Sequence, residues 1–147
     1  MSKQAFALTR DNYARPLEVV GEQITVLASK AVTSGYEIFQ QAGPEGSGPP
    51  PHSHAWDESF YVIDGAVEFG FDDETATATA GTLVHLPAGC VHWFRFGGGG
   101  GRMISMTGGG NASELFTDLD ANVSSSDPDL EKMLEIGARH GLNVGGR

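Results

Sequence analysis

The sequence predicts an all-β fold, an antiparallel sandwich or barrel with short helices at its C-terminal end. Three observations carry this. From Leu17 to Thr107 the chain breaks into short β-favouring runs divided by turn residues, a pitch that suits antiparallel sheets rather than βαβ units. Glycine stands at 21 of 147 residues, about twice its usual share of ~7%, which argues against a mostly helical chain. Only after Gly110 does the texture turn helical.

The runs are LEVV (17–20), QITVLAS (23–29), GYEIFQQ (35–41), ESFYVI (58–63), AVEFGF (66–71), ETATATA (74–80), TLVHLP (82–87), VHWFRF (91–96) and RMISMT (102–107). Turns are expected at Gly21, Ser34-Gly35, the GPEGSGPPP segment, Asp64-Gly65, Asp72-Asp73, Gly81, Pro87-Ala88-Gly89 and Gly97–Gly101. Thr75–Ala80 alternates with period two, as a strand with one small-residue face inward should. With AVEFGF it predicts a hairpin turning at Asp72-Asp73. The pentaglycine lacks the Gly-Lys-Ser/Thr of a phosphate loop, so it reads as a flexible hairpin loop, with a mobile lid as the alternative.

NASELFTDLDA (111–121) predicts a short helix and DPDLEKMLEIGARHG (127–141) a stronger one. Asp127 suits the N-cap, Pro128 the first turn, and Asp129 and Glu131 the positive end of the dipole. Arg139 and His140 suit its negative end, and Gly141 a left-handed stop. Leu130, Met133, Leu134 and Gly137 form one stripe, expected to dock on the outside of the barrel; a partner-binding helix is the alternative. No repeat or second domain is visible. Residues 1–147 read as one domain, with a barrel core at about 17–107 and a helical extension at about 111–141.

Composition bounds the function. Such a chain buries roughly two-thirds of its unfolded surface, and 39% hydrophobic with 19% charged residues is a globular balance. A net charge of -10 repels phosphate backbones and anionic lipid, so neither nucleic acid nor membrane is an expected partner. Cys90 is the one cysteine and cannot form an internal disulfide. The N-terminus has no apolar signal core and no run approaches a membrane span. A cytoplasmic protein is expected.

The chemistry lies in PPPHSHAWDESFYVIDG (49–65). His52 and His54 are two apart, so in a strand they share a face. Glu58 has the same parity, and His92 opens VHWFRF. Pro49–Pro51 stiffen the approach to His52. Phe60, Val62, Phe94 and Phe96 continue the two parities and are candidates for an apolar substrate pocket. His85 has the opposite parity to Val84 and Leu86 and is expected outside. Cys90 reads as a turn residue, with a reactive thiol as the alternative. Trp56 is placed to cover the barrel mouth, with Tyr61 and Trp93 outside or at a dimer contact.

Gly46-x5-His52-x-His54-x3-Glu58-x6-Gly65 resembles the first motif of the cupin superfamily, and Gly81-x5-Pro87-x-Gly89-x2-His92 resembles the second. Phe96 departs from the asparagine often found there. Within the superfamily, the segments EQITVLASKAVTSGYEIFQ and GTLVHLPAGCVHWFRF look most like small quercetin-dioxygenase-like cupins. The resemblance implies a double-stranded β-helix (jelly-roll) barrel, a homodimer, and one divalent ion held by His52, His54, Glu58 and His92. That donor set suits iron, manganese, nickel, cobalt, copper or zinc. It implies an oxygenase acting with O2 on a small hydroxylated or enolic substrate, with Glu58 as base. A non-redox lyase, isomerase or hydrolase, and a binding barrel without turnover, are the alternatives, since the fold hosts many chemistries.

Overall fold

The computed structural model describes residues 3–145. After a 3-10 turn at Arg10–Asn12, the elements run β1 (Leu17–Val19), β2 (Glu22–Ala28), β3 (Tyr36–Gly43), β4 (His52–His54), β5 (Asp57–Phe71), β6 (Glu74–Thr79), β7 (Leu83–Leu86) and β8 (His92–Gly108). Then follow α1 (Ala112–Asn122), α2 (Leu130–Arg139) and a short β9 (Leu142–Val144). All strand pairs are antiparallel, and one curled sheet is ordered β1-β2-β3-β8-β4-β9, with β5 bridging β6, β7 and β8. This is the all-β, antiparallel barrel-like fold that the sequence predicts.

Two expected turns are instead the corners of long strands. Asp64-Gly65 does not reverse the chain, and Gly97–Gly101 is neither a hairpin loop nor a lid. Both lie inside continuous strands, β5 and β8, which pair with each other from Asp57↔Gly108 to Phe71↔His92. The register slips between Val62 and Asp64 and again between Gly65 and Val67. Across the corner the buried side switches from Phe60 and Val62 to Val67 on β5, and from Phe94 and Phe96 to Met103 and Ser105 on β8. Such a change of face requires an odd residue in the ladder. Glycine permits it: Gly65 sits at φ 71°, and a Cβ there would run into the Gly100 carbonyl. Gly99 and Gly100 also take positive φ.

The β5–β6 hairpin turns where expected, with Phe71 opposite Glu74 and Asp72 left-handed at φ 52°. Of its small residues only Ala78 is buried on β6. Helix α1 lies against the β1–β3 end of the sheet, burying Ala112, Leu115 and Leu119, with Phe116 edge-on to Phe39 at 5.2 Å. Buried Glu37 anchors its start, accepting from the Ser113 backbone N–H (3.0 Å) and hydroxyl.

Helix α2 starts later than the sequence suggests. Asp129, not Asp127, is the N-cap, accepting from the Lys132 N–H at 3.1 Å. Asp127 precedes a proline, which favours extended backbone there and moves the cap beyond Pro128. The docked face shifts with it: Ile136 and Gly137 are buried and Met133 packs on the core, while Leu130 is 66% exposed. Gly141 is left-handed at φ 85° as expected, and the chain beyond it returns as β9 beside β4.

Two apolar clusters result. One joins β1–β3, Trp56 and the helices; the other fills the barrel around Phe60, Val62, Phe94, Phe96 and Met103. No helix among the described residues is long and apolar enough to cross a membrane.

Candidate metal centre

Strand β4 is three residues long, HSH, and presents two imidazoles two positions apart. His52 pairs directly with His92 at the start of β8. One ring nitrogen from each of His52, His54 and His92 lies within 4.8 Å of the other two, and all three residues are buried.

One backbone carbonyl fixes each ring. His52 Nδ1 meets the Pro50 carbonyl, His54 Nδ1 that of Trp56 and His92 Nδ1 that of Cys90, each at 2.9 Å. A carbonyl only accepts, so each Nδ1 carries the proton and a neutral ring turns its Nε2 lone pair inward. Burial, then the neighbouring His92, pushes the His52 pKa down to about 4. Burial also lowers that of His92. Both shifts favour the neutral ring near pH 7, the form that a metal ligand needs.

Glu58 joins two of the three. Its Oε1 lies 3.2 Å from His54 Nε2 and its Oε2 3.9 Å from His92 Nε2. Burial would raise its pKa, but the His54 hydrogen bond and the charges of His92, His54 and His52 outweigh this and lower it. That hydrogen bond needs a proton on His54 Nε2 in addition to the one on Nδ1; in the neutral ring Nε2 offers the carboxylate a lone pair instead, a repulsion that a cation between them would remove. Nitrogen and oxygen donors about 2.1 Å from one ion stand roughly 3.0–3.4 Å apart; the His54–Glu58 spacing of 3.2 Å falls in that range, and the 3.9 Å to His92 is somewhat wider. His92 Nε2 is buried with no hydrogen-bond partner among the described residues. The donor set therefore fits a divalent transition metal.

The surroundings hold the rings still. Trp56 is buried: its indole stacks on His54 at 4.4 Å and 3°, and a Cβ on Gly110 would run into the ring. The four pocket candidates, Phe60, Val62, Phe94 and Phe96, are all buried in the barrel cluster, with Phe94 and Phe96 edge to face at 5.8 Å. His85 points outward and bonds Ser59 at 2.8 Å, as its parity predicts. Cys90 is half-buried, and burial raises its thiol pKa, against a reactive thiolate.

Sequence reasoning missed a second polar group in the interior. Ser105 Oγ donates to Gln41 Oε1 at 2.5 Å, and Gln41 Nε2 donates to Glu22 Oε1 at 3.1 Å. All three are buried, as is Thr107, whose hydroxyl has no partner among the described residues. The signal was there: Glu22 shares parity with Ile24, and Gln41 with Phe39, so polar residues stand in core register.

Comparison with known proteins agrees with this fold. A family model described as a cupin domain matches residues 39–106, which contain both histidine segments. The chain carries a cupin domain. Quercetin 2,3-dioxygenase of Bacillus subtilis is 29% identical over 100 residues. That match covers 66% of this cupin but only 30% of the length of the relative. Among solved structures, an RmlC-like cupin from Shewanella frigidimarina superposes with a TM-score of 0.67 at 16% identity, over 78% of this chain and 99% of that one. KdgF from Halomonas sp. gives 0.65 at 18% identity, over 72% and 94%. At such identities these structures speak for the fold.

Proposed function

We propose that this cupin is a metal-dependent oxygenase in which His52, His54, His92 and Glu58 hold one divalent ion (iron, manganese, nickel, cobalt, copper or zinc). Its substrate is a small hydroxylated or enolic molecule that reacts with O2. The carrying observation is the convergence of three carbonyl-fixed imidazoles beside one carboxylate. The likeness to quercetin 2,3-dioxygenase supports the oxidative reading.

When bound, the ion supplies a Lewis-acidic position for a substrate oxygen and, if redox-active, for O2. The chain supplies the rest. Glu58, kept ionised by its neighbours, takes the proton of a substrate hydroxyl. Phe60, Val62, Phe94 and Phe96 form the apolar wall that excludes water. A second copy of the chain covers the outward apolar face of β3, β5, β7 and β8, making a homodimer.

Elemental mass spectrometry of untagged protein, purified without chelators, tests the centre. Near-stoichiometric metal is expected, and His54→Ala should lose at least tenfold of it while staying folded. Metal content unchanged in His54→Ala would overturn the ligand set. An oxygen electrode with flavonols tests the chemistry. Turnover without oxygen uptake would move the reading to non-redox metal catalysis.

A further inference from the structure

We propose that Thr107, Ser105, Gln41 and Glu22 form a second recognition station inside the barrel, a row that starts beside Glu58 and runs away from it, and that binds a hydroxyl or carbonyl oxygen of a polyhydroxylated aromatic substrate. This rests on the reading above, that substrate meets the ion at the histidines.

Register places the station. On β8, Thr107 pairs with Glu58 and Ser105 with Phe60, so both face the interior that Glu58 faces. Gln41 pairs with Met103, one rung further, and its amide links Ser105 to Glu22. A rung of two residues spans roughly 7 Å. A planar molecule of one or two fused rings can therefore reach from the histidines to this row.

The row is costly as mere filling. Its neighbours in the same register are Phe39, Phe60, Val62 and Met103, and apolar side chains would complete that core at lower cost. It is also unfinished. The Thr107 hydroxyl has no partner, and the hydrogen bond from Gln41 is the one found for the Glu22 carboxyl among the described residues. Burial first, opposed by the Gln41 bond and helped by the charge of Glu58, pushes Glu22 up to about 8. A neutral Glu22 has an O–H to donate to a substrate oxygen, while Glu58 remains an acceptor.

Protein loaded with Co(II) separates the two readings. Its visible d–d spectrum reports the centre, and flavonol absorbance reports binding. Two probes are compared: quercetin, with hydroxyls far from its 3-hydroxy-4-keto group, and 3-hydroxyflavone, without them. Glu22→Leu and Gln41→Leu should each weaken quercetin about tenfold, leave 3-hydroxyflavone within about twofold and leave the Co(II) spectrum unchanged. Equal affinities for wild type and both variants, or equal losses for both flavonols, would overturn the station. Failure of loaded wild type to bind either flavonol would overturn the substrate class with the metal reading intact. Failure to take up Co(II) at all would remove the reading on which both rest.

Discussion

Glu22 is a carboxyl of ordinary pKa 4.5 displaced to about 8, chiefly by burial. The folded protein therefore holds a proton there that the unfolded chain has released, and stability falls as pH rises from about 4.5 to 8. His52 acts in the opposite sense. Displaced from 6.5 to about 4, it costs stability as pH drops through that range. Between pH 6.5 and 8 the slope belongs to Glu22, up to about 1.4 kcal/mol per pH unit. Urea unfolding of metal-free protein should show that decline, and Glu22→Gln should flatten it. A flat wild-type profile would mean that Glu22 is ionised inside the fold. At this scale the sequence was clear about ligand candidates, because His-x-His in a strand leaves little freedom of direction. For Glu22 it offered only the parity shared with Ile24; the partner Gln41, 19 residues away, does not follow from local pattern.

The two glycine corners are the elements on which the site depends. They let β5 and β8 run on with their buried sides exchanged, so that Glu58 and His92 come from different halves of one long ladder. Gly65→Ala should cost about 2 kcal/mol in urea unfolding, since its φ of 71° and the Gly100 carbonyl both oppose a side chain. Gly108→Ala, where a Cβ meets nothing within 4 Å, should stay within about 0.5 kcal/mol of wild type. Equal effects would sink the corner argument. Composition alone misleads here, because glycine marks a turn and a strand corner alike. The distinction is whether the backbone groups find a partner strand, which is a tertiary fact. Helix α2 teaches the same: Asp127 and Asp129 are both good caps by type, and Pro128 between them decides.

The whole molecule leaves one face of its sheet apolar and open. Tyr61 pairs with Ile104 on one side and Leu83 on the other, and Ile38 pairs with Met106. Leu83 is 60% and Tyr36 51% exposed. A dimer through this face should be visible by light scattering, and Leu83→Glu should shift it to monomer with metal content unchanged. A wild-type monomer at high micromolar concentration would discard the dimer.

By itself the sequence determined the strand-rich fold, the hairpin at Asp72-Asp73, both C-terminal helices and the shared direction of His52 and His54. Each follows from periodicity or from one residue's backbone preference, which act over a few neighbours. Tertiary structure decided the rest. It made the pentaglycine a strand corner, added β9 beside the histidine strand, buried Trp56 on His54 and turned Glu22, Gln41 and Ser105 into the interior. These depend on which strand lies opposite which, and only the closed ladder fixes that.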